Sequence, residues 1–86
     1  MEFEWDPDKA ASNLRKHHLS FAIAIQVFFD PDRWEEFEAG EEDRWLTVAL
    51  VQGVEITVVY TIRNEVYRII SARKATLKER QKYWHG

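Results

Sequence analysis

The chain has no cysteine, which excludes a disulfide framework and any zinc site built on thiolates. Its three glycines are too few and too scattered for a glycine-rich phosphate loop. No apolar run approaches the roughly 20 residues that a helix needs to cross a bilayer. The opening residues include Glu2, Glu4, Asp6 and Asp8, the reverse of a signal peptide's basic start. HExxH spacing, paired-carboxylate motifs and a nucleophile elbow are all missing. His17 and His18 are neighbours about 100° apart on a helix, poorly placed to share an ion. The expectation is a cytoplasmic protein without membrane segment, metal or other cofactor.

At 86 residues the chain suits one small domain, residues 1–86, able to bury about 60–65% of its unfolded surface. The net charge of −3 conceals a strong asymmetry. Residues 31–60 carry 2 basic and 8 acidic side chains, whereas residues 61–86 carry 7 basic and 2 acidic. A nucleic-acid binder needs a local positive field, not a positive total. Arg63, Arg68, Arg73, Lys74, Lys78, Arg80 and Lys82 supply one if the fold gathers them.

Glu2 to Trp5 reads as a short strand. Asp6 can cap a helix with Pro7 at its first position, where the missing N–H costs nothing. That helix runs to about His17, with Lys9, Asn13, Lys16 and His17 within an arc of roughly 100°. Such a stripe can grip a phosphate or simply face water; Ala10, Ala11 and Leu14 are then left for the core. Ser20 caps a second helix over Phe21 to Phe29, with Phe21, Ala24, Ile25 and Phe28 as its core stripe, and Asp30-Pro31 stops it. Residues 32 to 43, rich in Glu, read as a solvated loop or ragged hairpin.

Three strands follow, Trp45 to Val51, Val54 to Arg63 and Val66 to Arg73, joined by tight turns. Across the second turn Arg63 faces Val66, Thr61 faces Arg68 and Tyr60 faces Ile69. Strict alternation then places Arg63, Thr61 and Arg68 on one side. Tyr60, Ile69, Val58 and Ile56 take the other, together with Ser71 and Arg73. Thr76 and Glu79 form a capping box that starts a last helix to about Trp84. The order β-α-α-β-β-β-α gives an α+β fold: a small antiparallel sheet with two N-terminal helices and one C-terminal helix.

The ordered set Trp5, Asp6, Lys9, Asn13, Lys16, His17, Ser20, Phe21 and Ala24 resembles the opening of the BrnT family of bacterial type II toxins. The segments Arg44 to Val48, Val58 to Thr61 and Arg68 to Ala75, with Glu79 and Tyr83, extend the resemblance over nearly the whole chain. It implies a RelE-like fold and a metal-independent endoribonuclease that cleaves RNA and inhibits translation. It also implies a BrnA-like antitoxin partner, through which alone the toxin reaches operator DNA.

Cutting RNA without a metal requires deprotonation of the 2′-OH, stabilisation of the phosphorane charge and protonation of the leaving oxygen. Arginine suits the charge because its planar fork grips two phosphate oxygens, and the candidates are Arg63, Arg68 and Arg73. Histidine suits proton transfer near neutrality, which puts His17 first, followed by Glu79 and Tyr83, four residues apart on one helix face. Lys9, Asn13, Lys16 and Lys74 are the candidate RNA phosphate contacts. The acidic residues Glu35 to Asp43 offer a surface for a basic segment of the antitoxin. A catalytically weak partner module of an antitoxin's DNA-binding complex is the alternative reading, as is a freestanding RNA-binding domain.

Overall fold

Asp6 accepts a hydrogen bond from the Asp8 N–H at 2.8 Å, with Pro7 at the first helical position. This cap launches α1 (Pro7–His17) directly from β1 (Glu2–Trp5). The helix closes at His18, which takes the left-handed conformation at φ 55°. The computed structural model describes all residues from Met1 to Gly86.

Ser20 caps the next segment through Ile23 N at 3.2 Å. Only Phe21–Ala24 is α-helical (α2); Ile25–Phe29 tightens into a 3₁₀ segment. Phe21, Ala24, Val27 and Phe28 are the buried positions of this stretch, the last two in the 3₁₀ segment. Ile25, expected in the core stripe, is only half-buried.

Five strands form one sheet in the order β1-β5-β4-β3-β2, with β2 (Trp34–Glu38), β3 (Arg44–Val51), β4 (Val54–Arg63) and β5 (Val66–Lys74). The acidic stretch therefore contributes a strand, antiparallel to β3, with Phe37 set against Trp45 at 5.1 Å between ring centroids. Its three glutamates are tolerated because β2 is a sheet edge, where charge discourages pairing with other chains. The pair β1–β5 is parallel; the long α-helical excursion between the first strand and the rest permits that direction.

Pairing of β4 with β5 starts as the turn chemistry dictates: Arg63 opposite Val66, Thr61 opposite Arg68, Tyr60 opposite Ile69. A bulge then intervenes. Val59 pairs with Ser71, leaving Ile70 as the extra residue. Beyond it Ala72 faces Val58 and Arg73 faces Thr57. Ser71 and Arg73 thus join the face of Thr61 and Arg68, a correction to the strict alternation expected from sequence.

The helix-covered face holds the core of Phe21, Ala24, Val27, Phe28, Val58, Tyr60, Ile69 and Ala72, flanked by Trp5, Trp45 and Tyr67. Tyr60 is enclosed completely and shares a 2.8 Å hydrogen bond with Thr47 Oγ1. α3 (Leu77–His85), started by the Thr76–Glu79 capping box, lies on the opposite face. Polar ties hold it there: Glu79 to Thr57 and Arg73, Lys82 to Glu36, and Trp84 Nε1 to Glu55. No helix is long and apolar enough to cross a membrane.

Candidate nucleic-acid interface

Thr57, Val59, Thr61 and Arg63 alternate onto the sheet face turned away from α1 and α2, opposite Arg73, Ser71, Arg68 and Val66. Arg63, Arg68 and Arg73 therefore share one face. Arg63 and Arg68 form a diagonal pair, about 7–8 Å apart at the backbone. Arg73 stands roughly 13 Å further along, from four residues of strand rise.

All three guanidiniums rest on carboxylates, in two different ways. Arg63 reaches Glu42 at 3.1 Å, and Arg68 reaches Glu4 at 3.6 Å, both in exposed pairs. Such pairs contribute little to stability and exchange readily for another anion. Arg73 instead grips Glu79 with two hydrogen bonds of 2.7 and 2.9 Å. Glu79 also accepts from Thr57 Oγ1 at 2.9 Å and Thr76 N at 2.8 Å. The Arg73 bonds above all, aided by these two, hold the Glu79 carboxyl at about 2 against the pull of partial burial. The same contact raises Arg73 above its ordinary value.

On α1 the polar stripe turns towards β5, and Leu14 faces solvent. Lys9, Ser12, Lys16 and His17 line a hollow of about 270 Å³ closed by Ile70 and Ser71. Ser71 belongs to both places: it pairs with Val59 on the arginine face and borders this hollow. Cationic side chains thus stand on both sides of β5, the arginines on the sheet face and Lys9 and Lys16 on α1. No group of three or more His, Asp or Glu side chains gathers as a metal site would require.

The family model for the ribonuclease toxin BrnT of type II toxin–antitoxin systems matches residues 5–79. The chain belongs to the BrnT family. It is similar to the crystal structure of the Brucella abortus ribonuclease toxin, BrnT, with a TM-score of 0.68 and 26% sequence identity, over 88% of this chain and 97% of that one. No curated protein matches it.

Within this chain the expected site residues divide. Arg63, Arg68 and Arg73 share the sheet face that carries α3, while Lys9, Lys16 and His17 flank β5's outer edge. Lys74 lies on the helix-covered face with Ile56, in a second hollow that His17 also borders. Three assignments change. Asn13 is buried, and its amide is committed to Leu19 O and Ala72 O, so it has no hydrogen left for a phosphate. Glu79 is ionised throughout the neutral range and anchors Arg73, which removes it from proton transfer in this geometry. Tyr83 donates to Asp30 Oδ2 at 2.5 Å. Burial, then that hydrogen bond, push its hydroxyl up to about 12. It sits near Leu50 and Glu55, and Arg63 is eight residues along β4 from Glu55, roughly 26 Å.

Two residues escape the sequence reading as candidates. Asp30 gathers Tyr83 OH, Leu50 N and Asp32 N. Burial pushes its carboxyl up, but these bonds and Arg33 outweigh it and leave the group below its ordinary value. Its only sequence signal was the helix stop Asp30-Pro31. Arg44 opens β3 and makes none of the five ion pairs in the fold. Alternation from Trp45, which faces the core, would have placed it with the other arginines.

Proposed function

We propose that this protein is a type II toxin acting as a metal-independent endoribonuclease, inhibiting translation by cutting RNA and neutralised by a BrnA-like antitoxin. The observation that carries the reading is the row of Arg63, Arg68 and Arg73 on one sheet face. A guanidinium can bind two phosphate oxygens and stabilise the charge that develops on them during 2′-OH attack. His17, at the hollow that adjoins this face through Ser71, is the group suited to move the proton. Lys9 and Lys16 would hold flanking phosphates. The antitoxin would cover this surface and carry the complex to operator DNA.

The test is induction of the chain alone, followed by mapping of RNA ends, with Arg68→Ala and His17→Ala at matched soluble levels. Purified protein would be assayed with and without EDTA. The expected result is growth arrest and EDTA-resistant cleavage by the wild type, lost in both folded variants.

One observation favours the rival, an inactive partner module: every member of the arginine row already holds a carboxylate. Well-expressed, folded wild type that neither arrests growth nor cuts RNA would establish it.

A further inference from the structure

Thr61 is 3% exposed, and its hydroxyl oxygen is buried without a hydrogen-bond partner. Buried hydroxyls nearly always have one, so this position calls for an explanation. Its neighbours supply it. Arg68 lies directly opposite on β5. Arg63 is two residues along the same strand, on the same face. On the other side, β3 pairs Trp45 with Tyr60, and one further step of that antiparallel register sets Arg44 opposite Thr61. Three arginines therefore surround one orphaned hydroxyl.

We propose that Thr61, Arg44, Arg63 and Arg68 form a seat for one backbone phosphate of a single-stranded nucleic acid, with the Thr61 hydroxyl donating to a phosphate oxygen between the guanidiniums. The proposal deepens the ribonuclease reading and rests on it for the identity of the strand as RNA. A phosphate fits the chemistry because it offers several acceptor oxygens and a charge that three cations can share. Arg44 brings a guanidinium with no carboxylate to displace. Arg63 and Arg68 sit in exposed pairs with Glu42 and Glu4, the kind that yields to a stronger anion. Their movement is also what would open the hydroxyl to a ligand. Glu38 faces Arg44 from β2 without forming an ion pair, so carboxylates ring the seat. That ring disfavours loosely held polyanions and leaves a phosphate that also takes the Thr61 bond.

The experiment measures binding of a 2′-O-methyl RNA oligonucleotide, which lacks the attacking hydroxyl and so reports binding whether or not the protein cuts. Thr61→Val is expected to weaken affinity about ten-fold, the value of one hydrogen bond to a charged group. Thr61→Ser should keep it within about three-fold, since the hydroxyl is retained. Arg44→Ala should weaken binding and lower the slope of log affinity against log salt by about 0.7, one phosphate contact on a single strand. In the free protein, Thr61→Val should melt no lower than wild type, because it removes an unsatisfied group without changing shape. A folded Thr61→Val protein that binds like wild type overturns the seat. So does a Thr61→Val protein that melts well below wild type, since the hydroxyl would then have a partner inside the fold. Thr61-dependent binding by a wild type that cuts no RNA keeps the seat and removes the nuclease.

Discussion

The side-chain amide of Asn13 brackets the backbone of Ala72, accepting from its N–H at 3.1 Å and donating to its carbonyl at 2.8 Å. Pairing with β1 ends at Ile69, so the outer edge of β5 has no strand beside it from Ile70 onward. Asn13 acts there as a one-residue substitute, meeting the same donor and acceptor a strand would meet. Truncation to alanine would leave both Ala72 groups without these partners in a buried place, at about 1–3 kcal/mol each. Asn13→Ala is expected to lose about 2–4 kcal/mol in denaturant unfolding; a loss within error would refute the bracket.

The bond between Tyr60 and Thr47 is the one fully buried hydrogen bond between two side chains. Tyr60→Phe should cost about 1–2 kcal/mol, because the Thr47 hydroxyl stays buried without its partner. Adding Thr47→Val should recover part of that loss, a coupling readable from a double-mutant cycle. Strictly additive losses would mean that the two hydroxyls do not depend on each other.

Acid sensitivity should be traceable to Glu79. Its carboxyl lies at about 2 in the folded chain against an ordinary 4.5, so the unfolded state binds a proton first as pH falls. The contribution is fully present above about 4.5 and declines as pH drops through 4.5 towards 2. Thermal melting of Glu79→Gln should therefore change less than wild type across that window, with the wild type the more stable at neutral pH. Parallel curves for the two proteins would rule out this origin.

α3 contains no fully buried residue, and much of its anchorage is charge-assisted: Arg73 with Glu79, Lys82 with Glu36, Tyr83 with Asp30. These contacts are part-buried, so salt weakens them only modestly through the side left open to solvent. Amides of Leu77–His85 should exchange with deuterium faster than those of β4, and faster still at high ionic strength. Equal protection of α3 and β4 at both salt levels would contradict it.

What the sequence revealed here tracks how local each determinant is. The caps at Asp6, Ser20 and Thr76 involve neighbours within a few residues, so their chemistry was legible. The pairing of Thr61 with Arg68 was legible too, because a tight turn fixes register close to itself. The bulge at Ile70 was not, since nothing in Ile69-Ile70-Ser71 signals an extra residue. The rotation of α1 escaped because it is set by Asn13 reaching Ala72, 59 residues away; that contact buries the middle of the polar stripe and leaves Lys9 and Lys16 exposed beside β5. β2 was legible only as one of two alternatives, loop or ragged hairpin: Trp34-Glu35-Glu36-Phe37-Glu38 does not alternate cleanly, and its partner Arg44–Val51 supplies the order. The grouping of Arg63 with Arg68 was readable, whereas the placement of Arg73 depended on the bulge.

The extra residue in β5 changes the strand's parity partway along. Arg68 and Arg73 are an odd number of residues apart, and on an uninterrupted strand they would look to opposite sides of the sheet. Ile70 works like a frameshift: the chain before it is read in one frame and the chain after it in the other. Were Ile70 instead drawn into the ladder opposite Val59, every charge in the molecule would be unchanged, yet Lys74 would replace Arg73 on the sheet face and a guanidinium would turn towards the core. The charge pattern of this surface thus hangs on an apolar residue that carries no charge itself.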